Sequence, residues 1–289
     1  MSADGPSAAD WPHSVMGCAR SFLFVPGHRP DRFNKALESG ADAVILDLED
    51  SVPHAAKVQA RVAIRRQMPW LLQTAGDTGI TIRINNPETA LGQQDLVGLQ
   101  GLPGLAALVV PKCESASTLR IVAQTFPGLA LLPIIESARG CLALAEIAQA
   151  PNVCRLVVGH LDFLADTGMV ASEDQREIDP LRFQVSLWSR YAALAPAVDG
   201  ITVDIGDTAL IHSDTQRAIG FGFGGKLCIH PRQVKWVHEA LRPSADQIGW
   251  AQRVLEAMAS SNGSAIQLDG KMVDQPVIQQ ARHLLSRVR

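Results

Sequence analysis

Short runs of consecutive apolar residues recur along this chain. They alternate with longer stretches whose apolar positions fall three or four apart. The first pattern predicts strands buried on both faces, and the second predicts amphipathic helices packed over them. Ser21–Gly27 (SFLFVPG) is the first run, closed by Pro-Gly; Pro30-Asp31 then opens a helix with Phe33 and Leu37 on one face and Gly40 as its stop. Ala43–Asp50 (AVILDLED) predicts the second strand, followed by a helix over about residues 55–72 with Val58 and Val62 one turn apart. Ile80–Asn85, Ala106–Lys112 and Ala130–Glu136 predict strands three to five, with a helix from Ser137 to Gln149 after the fifth. Arg155–His160 reads as strand six, before a polar loop over Asp162–Asp179 and a helix around Leu181–Leu194. Gly200–Ile205 reads as strand seven, with a helix from Asp207 to Gly220, and Lys226–His230 as strand eight, with a helix through Trp236 and Leu241.

Strand-then-helix units repeated eight times without a long linker predict an α/β chain whose residues 20–242 close into a (β/α)₈ TIM barrel. Residues 243–289 remain as a C-terminal helical and hairpin extension. Ser244 and Gln247 form a capping box there, and Ile248, Ala251, Leu255 and Met258 line one helix face, stopped by Asn262-Gly263. Ser264–Asp274 reads as a hairpin with Asp-Gly at its turn, before a last helix from Pro276 to Arg287. A barrel is complete without this part, so the extension is expected to pack on the barrel or reach a neighbouring subunit. Met1–Ala19 is rich in Ala, Ser, Asp and Pro and lacks an apolar core, which predicts a disordered leader and not a signal peptide.

Composition narrows the partners. The 289 residues are 47% hydrophobic and 19% charged, ample for one large core. A net charge of −3 supplies no basic face for nucleic acid. No apolar run reaches the roughly 18 residues of a membrane span. The five cysteines form no C-x-x-C pair, which suits a reducing, cytoplasmic setting.

The candidate chemistry lies at the predicted C-terminal strand ends, where (β/α)₈ barrels carry their active sites. Those ends hold Asp47, Glu49, Asp50, Arg83, Lys112, Glu136, Asp162, Asp204 and His230, against apolar strand bodies. Glu136 and Asp162 close successive strands, which suggests a divalent metal site. The plainer alternatives are that Glu136 pairs with Arg139 and that Asp162 caps the next helix. Two motifs are set aside. Gly220–Lys226 (GFGFGGK) fits G-x-x-x-x-G-K, but Leu227 replaces Ser/Thr and the segment joins a helix to a strand, the reverse of a P-loop. Cys141 and Cys154 lie in apolar runs with no histidine partner nearby.

RSFLFVPGHRPDRFNKALESGADAVILDLEDSV, PIIESARG, VVGHLDFLADTG, DGITVDIGD, GKLCIHP and DGKMVDQP, in that order, resemble the citrate lyase beta-subunit-like family. That family includes malyl-CoA and citramalyl-CoA lyases and stands beside the metal-dependent hydroxy-keto-acid aldolases. The resemblance implies a (β/α)₈ barrel, Mg²⁺, CoA-thioester and oxo-acid substrates, and a homotrimer or dimer of trimers. By this resemblance Glu136 and Asp162 are the metal ligands, and Arg83 holds the substrate carboxylate and thioester oxygen. It places Asp47, Glu49 and Asp50 around the metal and Arg83, and makes Asp274 an acid/base that reaches a neighbouring subunit's site. Phe24, Lys35, Ile229 and His230 match positions lining the CoA pocket. Asp274 also fits a plain helix cap, and Arg83 a plain salt bridge to Asp47 or Glu49. The pattern departs at Gly27-His28, where relatives carry Asn or Ser at the second position. The activity implied is cleavage of a malyl-, citramalyl- or citryl-CoA. The alternatives are a citrate lyase subunit working on an acyl-carrier-protein thioester, a CoA-independent aldolase, or a non-catalytic scaffold.

Overall fold

A computed structural model describes residues 14–260 and 266–288; residues 1–13 of the expected leader and the Asn262-Gly263 stop lie outside the described residues. The strands β1 (Ser21–Pro26), β2 (Ala43–Asp47), β3 (Gly79–Arg83), β4 (Ala107–Val110), β5 (Ala130–Ile135), β6 (Val157–Val158), β7 (Val198–Asp199) and β8 (Gly225–Cys228) pair in parallel and in sequence order. Ser21 to Leu23 of β1 pair with Lys226 to Cys228 of β8 and close the barrel. β2, β4 and β5 are buried at every position, which is why they read as apolar runs, broken only by Pro133 in β5 and closed by Asp47 in β2. The β2–β3 register sets Asp47 beside Arg83 at the C-terminal edge.

Several expected boundaries move, and each has a local cause. Strand seven is Val198–Asp199, not Gly200–Ile205. Asp204 is exposed in the following loop, where its carboxylate accepts the Gly206 and Asp207 N–H groups at 2.7 and 2.9 Å. Strand six stops at Val158, and His160–Thr167 is a helix, so the loop expected over Asp162–Asp179 begins as the end of that helix. His230 lies past β8, just before the helix Pro231–Leu241. The helix expected over 137–149 breaks at Ala143 into Ala138–Leu142 and Leu144–Ala148. In the helix Lys57–Thr74, Val58 and Val62 face solvent; the buried face is Lys57, Ala60, Ile64, Met68 and Leu71.

The described end of the leader is ordered. Val15–Cys18 form a helical turn capped by Ser14, and Met16 and Ala19 join the barrel core. Arg155 fixes this turn from within. Its side chain is fully buried and donates to the carbonyls of Met16, Ala19 and Pro196 at 3.0, 2.5 and 2.5 Å. Those acceptors replace the water a buried guanidinium loses.

His238–Arg289 forms a second compact unit, which begins within the helix Pro231–Leu241. The expected capping box is present: Ser244 N–H donates to Gln247 Oε1 at 2.9 Å and Gln247 N–H to Ser244 Oγ at 3.2 Å. The helix Ala245–Ser260 buries Ala251 and Val254 against Val273, Ile278 and Ala281. β9 (Ile266–Leu268) and β10 (Lys271–Val273) form the antiparallel hairpin, turned by Asp269 and Gly270 at φ 53° and 77°. Two successive positive φ values make an I′-type turn, which Asp-Gly favours. Asp274 is exposed and caps the helix Gln275–Ser286, accepting the Val277 N–H at 3.3 Å.

Candidate active site at the barrel mouth

A cavity of about 390 Å³ opens at the C-terminal end of the strands. Phe24, Asp47, Asp50, Arg83, Glu136, Asp162 and Ile229, all singled out from the sequence, line it. Glu49 and Lys112 stand behind them in the same ion network.

β2 and β3 build one side. Arg83 Nε and Nη2 each donate to an Asp47 carboxylate oxygen at 2.7 Å. Its Nη1 lies 2.9 Å from Glu49 Oε2, an ion pair off the hydrogen-bond line. Phe24 supports the guanidinium from one face, 4.5 Å from ring centroid to carbon. Asp47 is fully buried and also accepts the Glu49 and Ser51 N–H groups, so it fixes the loop that carries the acids. Burial works to raise its carboxyl, but the Arg83 hydrogen bonds and charge win and hold it below the usual carboxylate range. Arg83 is correspondingly raised: burial opposes its charge, and Asp47, Glu49 and Asp50 more than offset this. The plain salt bridge is therefore present, and Arg83 still lines the cavity.

Lys112 ties this side to Glu136. Its Nζ meets Glu49 Oε1 at 2.6 Å, while its backbone N–H donates to Glu136 Oε1 at 2.6 Å. To do both it adopts φ 48°, uncommon outside glycine. The sequence marked Lys112 only as one more charge; a backbone strain of this kind leaves no signature in composition or periodicity. Lys57 was missed altogether. It is buried under the β2 loop and donates to the Leu48 and Glu49 carbonyls and to Asn85 Oδ1 at 2.7, 2.7 and 2.8 Å. A lysine near a helix start normally reads as solvated.

Glu136 is 5% exposed at the end of β5, and Asp162 is half-buried in the first turn of the helix His160–Thr167. Arg139 pairs with Glu114 at 3.6 Å and not with Glu136, and Asp162 lies inside its helix, not at the cap. Burial first, then repulsion from Glu49 and Asp162, pushes the Glu136 carboxyl up to about 8. A carboxylate so placed lacks positive charge on the Asp162 side, which a divalent cation would supply. Among the described residues no trio of His, Cys, Asp or Glu gathers as a metal cage. A pair of carboxylates still suits Mg²⁺, a hard ion that takes few protein ligands and keeps waters. Gly159 makes the room: a Cβ there would fall 2.5 Å from Glu136 Oε2 and 2.6 Å from its Cβ. Gly159→Ala is therefore expected to leave the fold intact but weaken Mg²⁺ binding about tenfold or more, as read by calorimetric titration.

A neighbouring cavity of about 660 Å³ shares Phe24, Ser51 and Ile229 with the first and is lined further by Arg32, Lys35 and His230. Burial, then Arg232 and Lys35, lowers His230. The structure thus brings Phe24, Lys35, Ile229 and His230, with Arg32 and Asp31, around one hollow beside the acidic mouth.

A family model described as HpcH/HpaI aldolase/citrate lyase matches residues 20–231. The chain belongs to the HpcH/HpaI aldolase/citrate lyase family. That family is of carbon–carbon lyase and aldolase type, and its model spans the whole barrel described above. A citrate lyase subunit beta-like protein of Deinococcus radiodurans is 34% identical over 276 residues, 92% of this chain and 96% of that protein. A (3S)-malyl-CoA thioesterase of Cereibacter sphaeroides is 32% identical, over 93% of this chain and 94% of its own. The crystal structure of CitE from Mycobacterium tuberculosis in complex with magnesium, acetoacetate and coenzyme A superposes with a TM-score of 0.81 at 34% identity, covering 94% of this chain and 98% of that one. Among the described residues no helix is long and apolar enough to cross a membrane.

Proposed function

We propose that this protein is a Mg²⁺-dependent lyase that cleaves a 3-hydroxy-acyl-CoA, of the malyl-, citramalyl- or citryl-CoA type, into an acyl-CoA and a 2-oxo acid. The observation that carries the reading is the placement of the carboxylates of Glu136 and Asp162 and the Arg83 fork around one cavity. The CitE complex with magnesium and coenzyme A supports the choice of ion and thioester.

Glu136 and Asp162 would hold the ion, which supplies positive charge to the substrate hydroxyl and carboxylate oxygens. As the bond between the thioester α-carbon and the hydroxyl-bearing carbon breaks, the hydroxyl passes its proton to water in the cavity and becomes the carbonyl of the oxo acid. The electron pair moves into the thioester as an enolate. Arg83, anchored by Asp47 and Glu49, presents its remaining N–H groups to that oxygen. Lys112 holds Glu136 and Glu49 in register. Asp274, from a neighbouring subunit of a homotrimer or dimer of trimers, returns a proton to the enolate carbon. Lys35 and His230 would meet the CoA phosphates.

A second reading, thioester hydrolysis, has a specific support in the (3S)-malyl-CoA thioesterase relative. One assay separates the two. Malyl-, citramalyl- and citryl-CoA are incubated with Mg²⁺ while free oxo acid and free thiol are followed together. The expected result is oxo acid without thiol. Thiol release without oxo acid overturns the lyase reading in favour of the thioesterase. Turnover of a carrier-protein thioester alone would favour the citrate lyase subunit, and cleavage of a hydroxy-keto acid without CoA the free aldolase.

A further inference from the structure

We propose that His160 selects the oxo-acid half of the substrate, by a hydrogen bond from its imidazole to an oxygen-bearing substituent next to the keto carbon. The proposal rests on the lyase reading for the identity of the ligand, and on the following geometry for the residue.

His160 opens the helix that carries Asp162 and lines the mouth cavity, yet it is only 3% exposed. Its imidazole makes no hydrogen bond among the described residues, and the residue lines the cavity. A buried polar side chain is ordinarily paired, so one that faces a cavity unpaired points to a ligand group as its partner. The fold also makes space for the ring. A Cβ at Gly200 would fall 2.9 Å from His160 Cε1 and closer still to Nδ1, so Gly200 is the position that seats the imidazole against the wall.

Buried charges brace that seat. Lys226 Nζ donates to the Gly200 carbonyl at 2.7 Å and lies 3.9 Å from Asp199, which Arg182 holds at 3.1 Å. Lys226, Asp199 and Arg182 are each at most 2% exposed, and none lines the cavity. The lyase scheme leaves this network without a task; bracing the wall behind His160 provides one.

Barrel order fixes which end of the substrate meets His160. β3, which carries Arg83, and β7, which runs into Gly200, lie four strands apart in either direction around the closed barrel. A thioester drawn to Arg83 therefore turns its other half toward Gly200 and His160. The neighbouring wall residues Val158, Leu161 and Ile201 are apolar. An alkyl substituent would leave the imidazole unpaired, whereas a hydroxyl or carboxylate oxygen would pair it, a difference of about 10- to 100-fold in affinity.

The test is calorimetric titration of the full chain with Mg²⁺ present, using pyruvate, 3-hydroxypyruvate and oxaloacetate, on the wild type, His160→Phe and His160→Gln. The wild type is expected to bind at least one oxygen-bearing acid about tenfold or more tighter than pyruvate. His160→Phe should abolish that preference with Mg²⁺ affinity unchanged, and His160→Gln should keep part of it. A preference that survives His160→Phe overturns the proposal, as does a wild type that binds pyruvate as well or binds none of the three. Loss of Mg²⁺ affinity in the variants also overturns it, because the ring would then act through the ion. If His160→Phe does not fold by near-UV circular dichroism, an undiminished preference in His160→Gln overturns it. A preference that tracks His160 in a protein that cleaves no thioester leaves this assignment standing and removes the lyase reading.

Discussion

Glu136→Gln is expected to lower Mg²⁺-dependent release of oxo acid by about a thousandfold or more while the barrel still folds. The variant keeps an oxygen for the Lys112 N–H, the 2.6 Å bond that orients the native side chain, and removes only the charge. Asp162→Asn should act in the same direction. The pH behaviour gives an independent check. With no cation bound, burial and the Glu49 and Asp162 charges hold the Glu136 carboxyl near 8, so an incoming ion must displace a proton at neutral pH. Apparent Mg²⁺ affinity should therefore rise up to about tenfold per unit as pH climbs toward 8, then level off. Stability follows the opposite sign. The folded chain retains a proton that the unfolded chain releases in the usual carboxylate range. The contribution is full below that range and is lost as pH rises through about 8. Added Mg²⁺ should reverse the loss, and Glu136→Gln should abolish both trends. Titration calorimetry across pH and thermal unfolding with and without Mg²⁺ measure them. Undiminished Mg²⁺-dependent turnover in Glu136→Gln would remove the metal role from this residue.

The barrel is legible in the sequence where strands obey the rule that buried strands are apolar. β4 and β5 do, as does β2 up to Asp47 at its edge, and their boundaries lie close to the expected ones. The reading slips where the barrel breaks that rule. Asp199 and Lys226 lie inside β7 and β8, neutralised by each other and by Arg182, so a search for apolar runs slides strand seven past Asp199 onto Gly200–Ile205. The helices Ala90–Leu99 and Ala116–Thr125 are implied by the eightfold strand–helix repeat without bounds; the first follows its Thr89 cap with little apolar periodicity. At the site, the carboxylates and Arg83 were visible as charges at strand ends. What stayed hidden depends on side chains meeting across distant strands: Lys57 under the β2 loop, the strained Lys112, and His160 seated on Gly200.

Arg83→Met is expected to abolish cleavage and also to destabilise the fold by about 3–5 kcal/mol, because it strands a fully buried Asp47 without its partner. Those two losses have separate causes, and a variant series can divide them. Arg83→Lys keeps a positive charge near Asp47 but cannot reproduce the paired 2.7 Å bonds and still offer N–H groups to the cavity. It should recover much of the stability and little of the activity, with turnover down about a hundredfold or more. In the pair Asp47→Asn with Arg83→Met, the stranded charge is gone. Stability should return by a few kcal/mol relative to Arg83→Met alone, while cleavage stays abolished. Urea unfolding and oxo-acid release, measured on all three variants, decide the matter. If activity returns together with stability in the double variant, Arg83 serves only to neutralise Asp47. If the two remain apart, the guanidinium acts on the substrate as well, and the salt bridge to Asp47 is what holds it ready to do so.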